Sequence, residues 1–238
     1  MGKSLTPAAK GRYDQDMKLS MVIDLAKCIG CDACSVACKI ENSTPDEIYW
    51  APVFQREVGK FPKASVQFLP TLCMHCEDPP CQKSCPTKAI SKRKDGIVLI
   101  DEGKCTGSRS CVSACPYNAI SVWQMKAATS EAALNDSGYQ TPVSLRPELK
   151  HKVGAAQKCT FCAHRMDLAE AKGLRPGVDR AATPACVISC PAECRIFGDL
   201  EDASSPVSKY IEEAEKSGRV IFALRPSAKT RPKVAYVW

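Results

Sequence analysis

The chain has 238 residues, with 33 Lys and Arg against 26 Asp and Glu, 16 Cys, 45 % hydrophobic residues and only 6 % aromatic ones. One large or two small domains suit this length, and so few aromatics argue that something besides apolar packing holds the fold. Apolar runs such as 97–100 and 220–224 are far shorter than the roughly 20 residues of a membrane helix, and no basic stretch is interleaved with the aromatics of a nucleic-acid groove, so neither a membrane span nor nucleic-acid binding is expected.

In chain order, residues 1–10 carry neither the apolar core of a secretory signal nor a twin-arginine pair. The first cysteine group follows as Cys28-x2-Cys31-x2-Cys34-x3-Cys38. Residues 42–70, with Trp50, Phe54 and Phe61 among prolines, read as an irregular covering loop with short strands. A second group is Cys73-x2-Cys76-x4-Cys81-x3-Cys85-Pro86. Between it and the third, segments 88–92 and 97–101 flank an Asp95-Gly96 turn and predict a β-hairpin. The third group is Cys105-x5-Cys111-x3-Cys115-Pro116, and the fourth is Cys159-x2-Cys162-x23-Cys186-x3-Cys190-Pro191. Inside the fourth, a helix is predicted over 163–172, stopped by Gly173. Ser205-Pro206 opens another, with Val207, Tyr210, Ile211 and Ala214 at i, i+3, i+4 and i+7, a stripe expected to face the core. From Arg225 the tail reads as extended, a candidate docking arm.

Each group is a form of the bacterial run C-x2-C-x2-C-x3-C-P, whose first three thiolates bind one iron–sulfur cubane and whose fourth reaches the neighbouring one. A short loop can wrap three corners of a cluster, while the fourth Cys opens a new segment and points away. The second and third groups lie wholly between Cys38 and Cys159, which implies an α+β fold of two nested ferredoxin-like modules. Residues 20–45 and 150–200 form the split outer module, 65–125 the inner one, and 201–238 the C-terminal helix and docking tail.

The crossover rule then assigns ligands. Cys28, Cys31, Cys34 and Cys190 hold cluster 1, and Cys159, Cys162, Cys186 and Cys38 hold cluster 2. Cys73, Cys76, Cys81 and Cys115 hold cluster 3. Cluster 4 has three thiolates, Cys105, Cys111 and Cys85, because Ser108 stands where the motif wants its second Cys. Cys194 is left over beside Cys190 and reads as an inert buried thiol rather than the missing ligand.

Competing readings fit less well. Disulfides belong to small secreted chains, and a zinc ribbon needs two separated pairs rather than three Cys in close succession before Cys-Pro. A Rieske centre needs two His at ligand spacing, whereas His75 and His164 stand singly and read as hydrogen-bonding neighbours of cluster loops. A cubane with four thiolates carries about −2, so four would add roughly −8 to the formal +7. Lys27, Lys104 and Lys158 each precede the first Cys of a group, either as charge compensation or as ordinary solvated lysines.

The chain resembles the four-cluster iron–sulfur subunits of molybdopterin oxidoreductases of the dimethyl sulfoxide reductase superfamily. The resemblance covers about residues 20–235. It rests on Lys27-Cys-Ile-Gly-Cys-Asp-Ala-Cys34, Leu72-Cys-Met-His-Cys-Glu-Asp-Pro-Pro-Cys81, Lys158-Cys-Thr-Phe-Cys-Ala-His-Arg165 and Ile196-Phe-Gly-Asp-Leu200. It implies a non-catalytic electron-transfer subunit attached to a molybdenum- or tungsten-pterin catalytic subunit, with a membrane-anchor or haem subunit as a further partner that exchanges electrons with quinone. The family also has members that lack this same Cys and hold a [3Fe-4S] cluster, so the cofactors expected are three [4Fe-4S] and one [3Fe-4S]. Four [4Fe-4S] clusters are the alternative, with the serine oxygen or water on the last iron. A free-standing soluble polyferredoxin and a zinc-stapled scaffold are the competing functions. Cytosolic cluster insertion implies a cytoplasmic protein, or one exported folded beside a partner that carries a twin-arginine signal.

Overall fold

The structure, a computed structural model, describes residues 17–45, 47–124 and 151–238. It is α+β, with short helices and small sheets. The largest sheet has the order β8-β1-β10-β9, formed by β1 (Leu19–Asp24), β8 (Arg195–Asp199), β9 (Ile221–Phe222) and β10 (Val234–Val237). All six residues of β1 are buried, and they alternate between two cores. Leu19, Met21 and Ile23 pack with Phe161, Phe197 and Tyr236, whereas Val22 meets Val207 and Ala214. This is the period-two consequence of a strand covered on both faces. Pairing of β1 with β8, from Leu19↔Asp199 to Ile23↔Arg195, brings the segments on either side of the first and fourth cysteine groups together.

Val207 and Ala214 belong to α6 (Pro206–Lys216), whose apolar stripe faces the core as predicted. Ser205 caps it, its Oγ accepting the Ser208 N–H at 3.3 Å. Helix α4 (Ala163–Lys172) also has the predicted bounds and ends at Gly173, whose φ of +64° is the left-handed cap.

The tail from Arg225 departs from the docking-arm expectation. It is extended at its end, but β10 is an inner strand, parallel to β1 and antiparallel to β9. Val234, Tyr236 and Val237 have no solvent exposure. Apolar residues alternating in an extended tail suit a buried strand as well as an arm, and β1 offers the free edge that decides the matter.

Three two-stranded sheets complete the set among the described residues. The covering segment forms β2 (Val53–Val58) and β3 (Ser65–Pro70). The predicted Asp95-Gly96 hairpin forms β4 (Ile90–Lys92) and β5 (Val98–Ile100), in register Ile90↔Ile100. The strands β6 (Ser121–Val122) and β7 (Ala156–Gln157) pair across residues 125–150, which lie outside the described segments. Helix α1 (Ala33–Glu41) packs on α5 (Ala185–Ile188), and α2 (Pro80–Lys83) on α3 (Ser110–Ala114), so each packed pair carries cysteines of two different groups. Among the described residues, no helix is long and apolar enough to cross a membrane.

Candidate metal centre

Fifteen of the 16 cysteines gather into four sets, while Cys31 is exposed. Cys73, Cys76 and Cys81 line one cavity with Cys115, beneath Pro79, Val98 and Ile120. The cavity measures about 320 Å³ including its mouth. Burial, together with the neighbouring Cys73 and Cys115 sulfurs, pushes the Cys76 thiol up to about 11 and the Cys81 thiol up to about 12. Cys85, Cys105 and Cys111 line a second cavity of about 290 Å³, and Ser108 lines it with them. The Ala156 N–H, from β7, donates to the Cys105 sulfur at 3.4 Å.

A third set is buried almost completely. Cys38, on α1, has Cys159, Cys162 and Cys186 as neighbours, and burial with their sulfurs drives its thiol well above the ordinary value. Burial, reinforced by the Cys186 sulfur, pushes Cys162 up to about 12. Asn42 reaches into this set, its Nδ2 lying 3.6 Å from Cys38 Sγ and 3.9 Å from Cys162 Sγ. The fourth set contains Cys28, Cys34, Cys190 and Cys194. Cys190 Sγ and Cys194 Sγ are 3.5 Å apart, and Cys194 also hydrogen-bonds Cys28. Cys194 is a buried thiol beside Cys190, as expected.

Two of the three Cys-Pro cysteines, Cys85 and Cys190, are built alike, whereas burial raises the thiol of the third, Cys115. Burial would raise Cys85, but the Thr87 hydroxyl and the backbone N–H groups of Thr87, Ala89 and Ile90 outweigh it and lower the thiol. At Cys190 burial is likewise outweighed, by the backbone of Ala192, Cys194 and Arg195 together with the Cys194 thiol. The i+2, i+4, i+5 spacing of these amides follows from the turn that Pro86 and Pro191 begin, and it stabilises a sulfur in its anionic form.

Ser108 can be placed by backbone geometry. In Cys28-Ile-Gly-Cys-Asp32, Gly30 has φ +69° and Asp32 φ +56° on either side of Cys31. In Cys105-Thr-Gly-Ser-Arg109, Gly107 has φ +73° and Arg109 φ +61° on either side of Ser108. Ser108 therefore occupies the same station of the same loop as Cys31. Its Oγ lies 3.3 Å from Ser110 Oγ.

The lysines and histidines that flank the cysteine groups differ in their surroundings. Lys158 is buried, donating to the carbonyls of Val98 and Cys159, while Lys104 is exposed beside Asp101 and Lys27 lies 5.0 Å over the Tyr210 ring. His75 is fully buried, stacks on Phe161 at 3.9 Å, and accepts the Val98 N–H at Nδ1. Desolvation, with the Lys158 charge, pushes its protonation well below the usual range, so it stays neutral. His164 Nε2 lies 2.7 Å from Glu41 Oε1. Sequence reasoning missed His151, which joins Glu102 at 2.7 Å to the Asn42 carbonyl at 2.9 Å. It also missed Arg195, which is 2 % exposed with Nε and Nη2 lacking any hydrogen-bond partner. A basic residue in a strand motif gives no sequence signal of burial.

Whether an iron–sulfur cluster suits these sets can be judged from two features. The donors are all soft thiols except Ser108, the chemistry preferred by iron–sulfur clusters. Thiols pushed upward by burial and by one another stay protonated unless a positive core holds them as thiolates. The second feature is Arg195, since a buried guanidinium with idle donors calls for an anionic acceptor, and a thiolate-bound cluster is one. Among the described residues no three such side chains converge on a single ion. The thiols of the two inner sets stand around cavities instead.

Two models described as 4Fe-4S dicluster domains match residues 27–89 and 64–142. The arsenate respiratory reductase iron–sulfur subunit of Shewanella sp. strain ANA-3 is 38 % identical, with 93 % of this chain and 96 % of that protein covered. A component of the polysulfide reductase of Wolinella succinogenes is 34 % identical over 92 % of this chain and 94 % of its own length. A component of the tetrathionate reductase of Salmonella typhimurium is 33 % identical, covering 99 % and 82 % respectively. Thiol sets suited to clusters and similarity over nearly the whole chain lead to one conclusion: the protein belongs to the iron–sulfur electron-transfer subunits of the molybdopterin oxidoreductases, the dimethyl sulfoxide reductase superfamily.

Proposed function

We propose that the chain relays single electrons through four clusters between a molybdenum- or tungsten-pterin catalytic subunit and a quinone-linked or soluble carrier. Cys28, Cys31, Cys34 and Cys190 hold cluster 1, and Cys38, Cys159, Cys162 and Cys186 hold cluster 2. Cys73, Cys76, Cys81 and Cys115 hold cluster 3, while Cys85, Cys105 and Cys111 hold a [3Fe-4S] cluster at the Ser108 site. When bound, each cluster supplies a centre that takes up and releases one electron. The chain's part is to orient the thiolates, exclude water and adjust charge around them.

The observation that carries this reading is the exchange of Cys-Pro cysteines. Cys115 lies with Cys73, Cys76 and Cys81, while Cys85 lies with Cys105 and Cys111. Pairing of β1 with β8 supports the same exchange in a split outer module of residues 20–45 and 150–200, wrapped round an inner one of 65–125. Anaerobically purified protein should contain about 15 to 16 iron and a similar amount of sulfide per chain. About four zinc with little iron would overturn the reading.

The relatives named above belong to arsenate, polysulfide and tetrathionate reductases, and the same division of labour puts substrate chemistry here on the partner. We place the loaded chain in the cytoplasm beside that partner. Recovery of both in the periplasmic fraction would instead indicate folded co-export through the partner's twin-arginine signal.

A further inference from the structure

Arg195 opens β8, opposite Ile23 of β1, and is buried, with its charge acting on sulfurs of both outer cysteine sets. Among the described residues it forms no ion pair with a carboxylate. The groups that act on it are the sulfur of Cys186 of one set, which is hydrogen-bonded to the guanidinium, those of Cys34 and Cys194 of the other, and the Tyr236 hydroxyl. Cys28 and Cys38 also feel its charge. Nη1 further meets the Met21 thioether at 4.0 Å. Sulfur of this kind is a weak acceptor, and Nε and Nη2 have none.

The buried cation nearer the inner sets is different. Lys158 lies within reach of Cys81 and Cys115 by charge, but its Nζ already donates to the Val98 and Cys159 carbonyls. Two of its three donors are taken by backbone carbonyls, whereas Nε and Nη2 of Arg195 have no partner. A planar guanidinium presents N–H groups along more than one direction at once, so a single side chain can serve acceptors on both sides. Hydrogen bonds and positive charge at cluster sulfurs favour the reduced, more negative state.

We propose that Arg195 is a counter-ion shared by clusters 1 and 2: its free N–H groups donate to the sulfur atoms of both and hold the two at more positive potentials than their thiolates alone would set. The inference rests on the ligand sets proposed above. It makes the outer pair a coupled unit, whose potentials move together when the one residue changes.

Potentiometric titration with electron paramagnetic resonance, on the intact complex, tests it in the native protein and in Arg195→Gln and Arg195→Lys. The outer clusters are identified by the signals lost in Cys34→Ala and Cys186→Ala. Arg195→Gln should shift both outer potentials negative and leave the inner two in place, while Arg195→Lys should move them by less than half as much. A fully loaded Arg195→Gln complex with unchanged outer potentials, or with all four moved alike, would overturn the role of Arg195 and leave the ligand sets standing. Native protein without clusters would instead remove the reading on which it rests. If Arg195→Gln fails to assemble, Arg195→Lys decides: a loaded complex with outer potentials near native supports a charge role. Loss of the clusters there too would mean that Arg195 supplies shape alone.

Discussion

Glu41, the last residue of α1, and Arg165, on α4, form a two-pronged ion pair, with Arg165 Nε 2.7 Å from Glu41 Oε1 and Nη2 2.9 Å from Oε2. Each lies three residues beyond a cysteine, Cys38 and Cys162, that the structure brings into one buried set. The pair therefore clamps the two arms of that set. Burial would raise Glu41, but the bonds from Arg165 and His164 hold its carboxyl down at about 2. Because the folded value lies below the ordinary 4.5, the stabilisation is present above pH 4.5 and is lost as pH falls toward 2. At 13 % and 18 % side-chain exposure the pair is shielded from water, and Glu41→Gln should cost about 2–3 kcal/mol near neutral pH. Thermal unfolding of holoprotein at pH 7 and pH 4 checks this: the difference between native and variant should shrink at the lower pH.

Ser108 carries a spectroscopic prediction. The oxidised protein, kept free of air, should show one narrow resonance near g of about 2.0 that vanishes on reduction, the mark of a three-iron cluster, while oxidised low-potential cubanes stay silent. Ser108→Cys restores the thiolate at the station that Cys31 fills in the first loop. It should abolish the signal and lower the potential of that centre. Native protein with four complete cubanes and no such signal would mean that an oxygen completes the site.

Cys190 and Cys28 should fail together. Cys190→Ala is expected to disturb the same cluster signal as Cys28→Ala and to leave the Cys159-dependent signal largely intact. The reverse grouping would contradict the nested arrangement. The nearby Cys194 adds a control, since Cys194→Ala should keep all four clusters.

Gly30 allows a packing test. A Cβ there would stand 2.2 Å from the Phe68 ring, and its φ of +69° is one that side chains rarely adopt. Gly30→Ala should destabilise the loop that carries Cys28 and Cys31 by roughly 2 kcal/mol, and the cluster 1 signal should be lost first on heating. Phe68→Ala in the same chain should recover part of the loss, because it removes the collision but not the backbone strain. No recovery would place the whole cost in the backbone.

Spacing made the cysteine chemistry legible, because a short loop around a cluster leaves few ways to place three thiolates. Helices α4 and α6 and the Asp95-Gly96 hairpin were legible for a similar reason: each carries its own start or stop signal. The inner strands β1 and β10 were not. Their pairing is decided by partners far along the chain, and Leu-Ser-Met-Val-Ile-Asp has no strong local mark of a strand. Arg195 was hidden because charge normally predicts exposure, and only the company of Cys34 and Cys186 makes burial tolerable. Lys158 could be suspected from its place before Cys159, yet Lys27 and Lys104 hold corresponding places and remain in solvent contact.

The parallel pairing of Met21 with Val234 joins residues more than two hundred positions apart, and this sets an order of events during synthesis. The cavities that use Cys73 to Cys115 have all their thiols once the first half of the chain has left the ribosome. The thiol sets that include Cys186 and Cys190 do not, and β1 keeps an apolar edge open until Val234–Val237 follow. An open strand edge is a template for unwanted association. On the proposed ligand sets, metal loading during synthesis is expected to run from the inside of the sequence outward, with the edge of β1 open until β10 arrives.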